Sequence, residues 1–119
     1  MEFEYKKLNK LTEERKNECK SIKIHYPDKI PIICERDPKS NLPDLNKKKW
    51  LVPSNLTVDQ FNFMIKKKMG LGYDDLVYLI INGKDFISGD YRISEIYDKY
   101  KDYQDDLLYL AYSDNSKWL

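Results

Sequence analysis

LNKKKWLVPSNLTVDQF, residues 45–61, contains the two local signals that decide the fold of this chain. Three lysines run directly into a Trp-Leu-Val triplet, and Pro53 ends that run. Aromatic and β-branched residues favour a strand, and lysines with a proline are typical of a strand at the edge of a sheet. Thr57 and Gln60 then follow in the T-x-x-Q spacing of a capping box, which marks the start of a helix. The stretch therefore predicts an edge strand over 47–53 with a helix directly after it.

The predicted helix carries one apolar stripe with spacings of three and four residues, formed by Val58, Phe61, Ile65 and Met69. Gly70 follows the stripe, and glycine is common just beyond a helix end because it adopts left-handed backbone angles without steric cost. We expect the helix to end at Gly70 and to bury its apolar face.

Upstream, DKIPIICERD (28–37) is a β-rich run bounded by charged residues. The segment that follows it, DPKSNLPDL (37–45), contains two prolines and other turn-forming residues. The run over 28–37 is therefore expected to be a strand that pairs with 47–53 as a hairpin.

The first 25 residues show a helical pattern, with positions three and four apart occupied by Leu8, Leu11, Arg15, Cys19 and Ile22. The pattern ends at the Tyr-Pro pair 26–27, since the residue before proline avoids helical angles.

Downstream, DDLVYLIINGKDF (74–86) predicts an apolar strand over 75–82, because Asn-Gly at its end is a strong hairpin signal. A short fourth strand is expected around 84–87. A short amphipathic helix follows, with Ile93, Ile96, Tyr97 and Tyr100 at helical spacing, and 106–113 is apolar enough to lie in the middle of a sheet.

The order of elements after the N-terminal helical arm is ββαββαβ, which indicates an α+β protein with the ubiquitin-like β-grasp fold. In that fold the sheet wraps one long helix, and 75–82 and 106–113 are expected to supply its middle. We assign the arm to residues 1–25 and the β-grasp domain to 26–119, together forming one compact unit.

Composition is that of a globular protein, with 119 residues, 41% hydrophobic and 34% charged. The net charge of +1 is uneven, since residues 1–73 hold 16 basic and 10 acidic side chains and residues 74–119 hold 5 and 10. The chain has no run of the roughly 18 to 20 apolar residues that span a membrane, and its N-terminus does not resemble a signal peptide. The expected compartment is the cytoplasm.

Catalytic chemistry is not expected. The single histidine, His25, has no serine or cysteine partner in sequence range, and Cys19 and Cys34 lack C-x-x-C or zinc spacing. We therefore expect packed thiols, no metal, no cofactor and no enzymatic activity.

The edge strand has two interpretations that periodicity alone leaves open. Side chains alternate along a strand, so Lys49 and Leu51 share one face while Trp50 and Val52 share the other. Either the lysines and the proline protect an edge from accidental pairing, or the edge is a docking place for an added peptide strand.

Several stretches resemble the autophagy-related ubiquitin-like modifiers, most closely the GABARAP branch: MEFEYK, YPDKIP, DKIPIICER, DLNKKKWLVPSNLTVDQF, LYLAYSD and YSDNS. The resemblance implies a β-grasp domain with two short N-terminal helices. It also implies an adaptor that binds aromatic-x-x-aliphatic motifs, usually preceded by acidic residues, in cargo receptors and autophagy proteins. No nucleic-acid partner is expected, and lipidated members reside on the autophagosome membrane.

The resemblance also implies the residues of the motif site. The aromatic pocket would be lined by Glu18, Ile22, Pro31, Ile33, Lys49, Leu51 and Leu107. The aliphatic pocket would be lined by Trp50, Val52, Pro53, Leu56, Phe61 and Met64. Acidic residues of the motif would meet Lys29, Lys47 and Lys48. An alternative for Ile22, Phe61 and Met64 is a place in the core, since they lie on helical stripes.

This sequence departs from the family pattern at three positions. Leu107 stands where relatives commonly have phenylalanine, and Trp50 where they have tyrosine or phenylalanine. Relatives are conjugated to phosphatidylethanolamine through a glycine after an aromatic residue, with the help of processing, activating and conjugating enzymes. Here Trp118 occupies the aromatic position and Leu119 the glycine position, so the sequence as given is not expected to form the conjugate. A truncated sequence, a glycine beyond a shifted end and a non-lipidated paralogue all fit.

A second function class stays open beside the adaptor. The clusters Lys47–Lys49 and Lys66–Lys68 form basic surfaces that would bind anionic membrane or RNA independently of the motif site. For Lys66–Lys68, a solvated last helical turn explains the same residues, because lysines suit the negative end of the helix dipole.

Overall fold

The computed structural model describes residues 1–83 and 85–114, and within them the order of elements is the predicted one. Four helices and five strands are formed by these residues: α1 Glu4–Leu8, α2 Thr12–His25, β1 Lys29–Arg36, β2 Lys49–Pro53, α3 Val58–Met69, β3 Tyr78–Ile81, β4 Asp85–Phe86, α4 Ile93–Tyr100 and β5 Leu108–Ser113. The prediction of an α+β ubiquitin-like β-grasp fold with N-terminal helices is confirmed. Of the two arm helices, α2 has 14 residues and is the longer by far.

The strands form one mixed sheet in the order β2-β1-β5-β3-β4. β1 pairs with β2 in antiparallel and with β5 in parallel, and β3 lies antiparallel to both β5 and β4. The prediction for 106–113 is confirmed, because β5 is the central strand. β3 lies beside it, next to the two-residue β4, and is shorter than the predicted 75–82.

Helix α3 forms for the reasons that the sequence indicates. Gln60 N donates to Thr57 Oγ1 at 3.2 Å, and Thr57 N donates to Gln60 Oε1 at 2.9 Å, which completes the capping box. Gly70 takes a φ of 75°, in the left-handed region, directly after the last helical residue. Val58, Phe61 and Ile65 are buried, as the stripe predicts.

The sheet has two covered faces. On the inner face, side chains from β1, β2, β3 and β5 pack against α3 and α4 and form the main core, which includes Ile32, Val52, Phe61, Leu79, Ile96 and Leu110. On the outer face, the N-terminal arm covers a smaller cluster of Cys19, Ile33, Leu107 and Tyr109, with Phe3 and Tyr5 packed against it. Both thiols are free and buried, as expected.

The helical stripe predicted for the arm is only partly correct. The chain leaves the helical conformation between α1 and α2, so Leu8 and Leu11 remain 71% and 62% exposed. Arg15, Cys19 and Ile22 are buried against the sheet. The buried arginine forms an ion pair with Asp105.

The Asn82-Gly83 turn links β3 to β4, with φ values of 55° and 70°. The predicted hairpin is confirmed, with Ile81 opposite Asp85. Lys84, where the fourth strand was expected to begin, lies outside the described residues, as do Trp118 and Leu119.

None of the described helices has the length and the apolar character that crossing a bilayer requires.

Candidate functional site

The outer edge of the sheet is formed by β2, which pairs with β1 on one side and, among the described residues, with no strand on the other. Side chains alternate as predicted: Trp50 and Val52 are buried, while Lys49 and Leu51 are exposed. In the register of the pair, Lys49 lies opposite Ile33 and Leu51 opposite Pro31. The unpaired edge therefore offers backbone N–H and C=O groups with two side chains beside them on the outer face.

Contacts and strand pairing bring six of the residues assigned to the aromatic pocket together on the outer face, between α2 and the β1–β2 edge. Ile33 and Leu107 are completely buried and form an apolar floor, and Ile22 of α2 is also buried. Leu51 is 36% exposed and is the apolar side chain at the surface of the group. The seven residues assigned to this pocket are Glu18, Ile22, Pro31, Ile33, Lys49, Leu51 and Leu107, and no contact joins Ile22 to the other six among the described residues.

An ion pair connects α2 and β2 beside this floor. Lys49 Nζ contacts Glu18 Oε1 and so links β2 to α2. The other carboxylate oxygen of Glu18 accepts a hydrogen bond from Tyr5 Oη at 2.9 Å. Burial and this bond raise the pKa of Tyr5, so the phenol stays a donor. Because Lys49 lies directly opposite Ile33, a partner side chain placed over Ile33 would lie against the Lys49 side chain.

Of the residues assigned to the aliphatic pocket, all except Pro53 pack in or against the core on the opposite, inner side of β2. Val52 and Phe61 have no exposed surface, and the Trp50 ring packs edge-on against Phe61 with centroids 5.8 Å apart. These three residues therefore belong to the core. Only Pro53, Leu56 and Met64 of this group are partly exposed, so contact with a partner would have to be made through them.

The lysines assigned to acidic contacts are placed differently from one another. Lys47 Nζ lies 4.5 Å from the centroid of the Trp50 ring, a cation–π contact. Lys48 Nζ lies 3.7 Å from Glu4 Oε2 of α1. Lys29 begins β1 opposite Pro53 and forms no ion pair with any described residue.

The family sequence model with the description "Autophagy protein Atg8 ubiquitin like" matches residues 14–118 of this chain. The chain belongs to the Atg8 family. It is also similar to Trypanosoma brucei ATG8, whose crystal structure matches with a TM-score of 0.87 and 33% sequence identity over 95% of each chain. The membership expected from the sequence is confirmed at the level of the family. Atg8-family proteins are ubiquitin-like modifiers and not enzymes.

In this Atg8-family chain, three residues that the sequence did not predict to be near the site also lie beside it: Glu4 and Tyr5 of the arm and Glu35 of β1. Both carboxylate oxygens of Glu35 accept from the arm, from Glu4 N at 2.7 Å and Tyr5 N at 2.8 Å. These two hydrogen bonds fix α1 beside the site, where Glu4 forms an ion pair with Lys48 and Tyr5 donates a hydrogen bond to Glu18. A five-residue helix shows no periodicity, so the sequence offered no signal for these contacts.

The lone histidine does have a serine nearby, which corrects the sequence interpretation. Ser21 Oγ lies 3.4 Å from His25 Nδ1, on the exposed side of α2. The same nitrogen lies 2.8 Å from Ser21 O. A carbonyl only accepts, so Nδ1 carries the proton and cannot take one from the hydroxyl. The described residues also contain no cluster of His, Cys, Asp or Glu that could hold a metal ion.

Proposed function

We propose that this protein is an autophagy adaptor that adds an aromatic-x-x-aliphatic segment, preceded by acidic residues, to the free edge of β2. The observation that carries the proposal is the unpaired edge over Lys49–Pro53, whose exposed face shows Leu51 beside a buried apolar floor. Backbone hydrogen bonds would set the register of the added strand, and side chains on alternate positions would set its specificity.

The aromatic residue of the segment would enter between α2 and β2. Ile33 and Leu107 would form the base of its pocket and Leu51 one wall. Because the Lys49–Glu18 pair connects the two elements between which the aromatic residue would enter, binding would require that pair to open. The pair is half-exposed, and exposed ion pairs contribute only about 0–1 kcal/mol. Opening it would therefore cost little compared with the free energy of peptide binding.

The aliphatic residue of the segment would contact the other side of β2. Pro53, Leu56 and Met64 are the partly exposed members of that group and would form the contact surface. Trp50, Val52 and Phe61 would support it from the core. Lys29 and Lys47 would attract the acidic residues before the motif, together with Lys48 once it is released from Glu4.

We place the protein in the GABARAP branch on the strength of YPDKIP and KKKWLVPSNLTV, and in the cytoplasm and on autophagosomal membranes as its sites of action. The arm 1–25 and the domain 26–119 would act as one unit, which the packing of α2 on β1 supports. Attachment to phosphatidylethanolamine would require a glycine that the activating enzyme can use. The position occupied by Leu119 does not provide one.

The second candidate is a surface for anionic partners at the end of α3. Lys67 and Lys68 are exposed and form no ion pair with any described residue. Lys66 instead donates to Tyr73 O at 3.1 Å. Two unpaired cations favour an anionic membrane or RNA as the partner, although they also suit the negative end of the helix.

Titration with a labelled acidic aromatic-x-x-aliphatic peptide tests the adaptor function. Leu51→Asp should abolish binding, because it puts a charge on the wall of the aromatic pocket. Leu76→Asp is the matched control, since Leu76 is 65% exposed and lies before β3, far along the sheet from β2. Failure of the peptide to bind, or equal binding to both variants, would rule out the edge as its site.

The same variants separate the two candidates. Binding to phosphatidylserine vesicles or to RNA should survive Leu51→Asp and fall in Lys67→Glu/Lys68→Glu if the α3 surface is used. Peptide binding should instead be lost in Leu51→Asp and remain unchanged in Lys67→Glu/Lys68→Glu.

A further inference from the structure

Two contacts connect α1 to the motif site. Glu4 Oε2 lies 3.7 Å from Lys48 Nζ. Tyr5 Oη donates to Glu18, whose second oxygen contacts Lys49. The carboxylate of Glu4 thus already pairs with Lys48, one of the lysines that would bind the acidic residues of an incoming peptide.

Independent contacts hold α1 in this position, so the placement of Glu4 does not depend on its own ion pair. Glu35 accepts from the first two N–H groups of the helix. The Phe3 ring packs on Tyr109 with centroids 5.1 Å apart. Lys6 Nζ pairs with Asp102 Oδ2 at 2.6 Å, a contact that does not involve Lys48.

We propose that Glu4 is an internal competitor of the acidic residues that precede a bound motif, and that it sets how strongly the site prefers an acidic flank. This inference rests on the proposed adaptor function. The side chains of Lys48 and Glu4 are 33% and 59% exposed, so the pair exchanges partners readily. An acidic peptide gains a contact with Lys48 only by displacing Glu4, whereas a peptide without acidic residues leaves that pair intact.

The chain contains a matched control for the charge. Glu2 lies on the same arm and pairs with Lys7 at 3.3 Å instead of contacting the site. Glu2→Gln and Glu4→Gln therefore change the net charge of the arm equally, while only Glu4→Gln frees Lys48.

The experiment compares two peptides that share one aromatic-x-x-aliphatic core, one preceded by three acidic residues and one by three serines. Isothermal titration at about 50 mM salt gives the Kd of each for the wild type, Glu4→Gln and Glu2→Gln. We expect Glu4→Gln to tighten binding of the acidic peptide about two- to fivefold, as the strength of an exposed pair allows, and to leave the serine peptide unchanged. Glu2→Gln should change neither.

A second variant makes the outcome specific to Lys48. In a Lys48→Gln background, Glu4→Gln should have no effect on the acidic peptide, because the competitor no longer has a target. Equal tightening of both peptides, no tightening, or the same gain in the Lys48→Gln background would overturn the inference while leaving the adaptor function in place. If neither peptide binds the wild type, the adaptor function fails and the inference falls with it.

Discussion

Arg15 Nε donates to Asp105 Oδ2 at 2.8 Å, and these two side chains are only 4% and 0% exposed. The same oxygen accepts from Tyr109 Oη at 2.6 Å, and the other carboxylate oxygen accepts from Leu107 N at 3.0 Å. Burial and the Asp105 hydrogen bond raise the pKa of Tyr109. A buried ion pair thus joins α2 to the segment that leads into the central strand.

Replacing Arg15 by leucine is expected to lower the free energy of unfolding by about 3–5 kcal/mol, because Asp105 would stay buried without a counter-charge. Urea denaturation followed by circular dichroism measures this change. Lys16→Leu, the next residue on α2, is the control and should stay within about 0.5 kcal/mol. An equal effect of the two variants would show that the buried pair does not hold the arm to the sheet.

Core and contact surface can be distinguished within the residues assigned to the aliphatic pocket. Phe61 is completely buried against Trp50, so Phe61→Ala should destabilise the fold by about 3–5 kcal/mol. Leu56 is partly exposed, so Leu56→Ala should weaken the binding of an aliphatic motif residue more than it weakens the fold. Denaturation and peptide titration on both variants test this. A stable Phe61→Ala protein with weakened binding would instead place Phe61 in an open pocket.

The elements that the sequence predicted well are those whose signals are local. The capping box of Thr57 and Gln60 and the glycine at 70 determine α3 within 14 residues. The alternation of exposed Lys49 and Leu51 with buried Trp50 follows from the geometry of a strand with one covered inner face. The ends of α3 and the alternation along β2 can be predicted from the sequence because they depend on residues close together in the chain.

The features that escaped prediction depend on residues far apart in the chain. Arg15 occupies an apolar stripe only because Asp105 lies 90 residues away to receive it. The contact of Lys48 with Glu4 likewise joins α1 to β2 through charges that have no periodic spacing. Strand β3 is shorter than its apolar run, since pairing with β5 begins at Tyr78 and Leu76 stays exposed.

Both cysteines should be unreactive in the native protein. Burial raises the pKa of Cys34, which has no exposed surface, and burial also raises the pKa of Cys19, which is 1% exposed. The thiolate is the reactive form, so neither residue offers one at neutral pH. Mass spectrometry after iodoacetamide treatment should find no adduct without denaturant and two adducts in guanidinium. Rapid modification of the native protein would contradict this, and Cys34→Ser and Cys19→Ser would identify the residue.

The Lys6–Asp102 pair predicts a specific pH dependence of the arm. Burial alone would raise the pKa of Asp102, but the hydrogen bond and charge of Lys6, together with the backbone N–H groups of Gln104 and Asp105, outweigh it, so the pKa lies below the ordinary 3.8. A carboxyl with a lower pKa in the folded state adds stability above its unfolded pKa and loses it as pH falls through the folded value. The stability lost in Asp102→Asn should therefore be constant from pH 7 to about pH 5 and disappear well below pH 4. Urea denaturation at each pH measures it, with Asp98→Asn as the control, because Asp98 is an exposed residue of α4. A difference between wild type and Asp102→Asn that grows as pH falls would show that the carboxylate is not stabilised by Lys6.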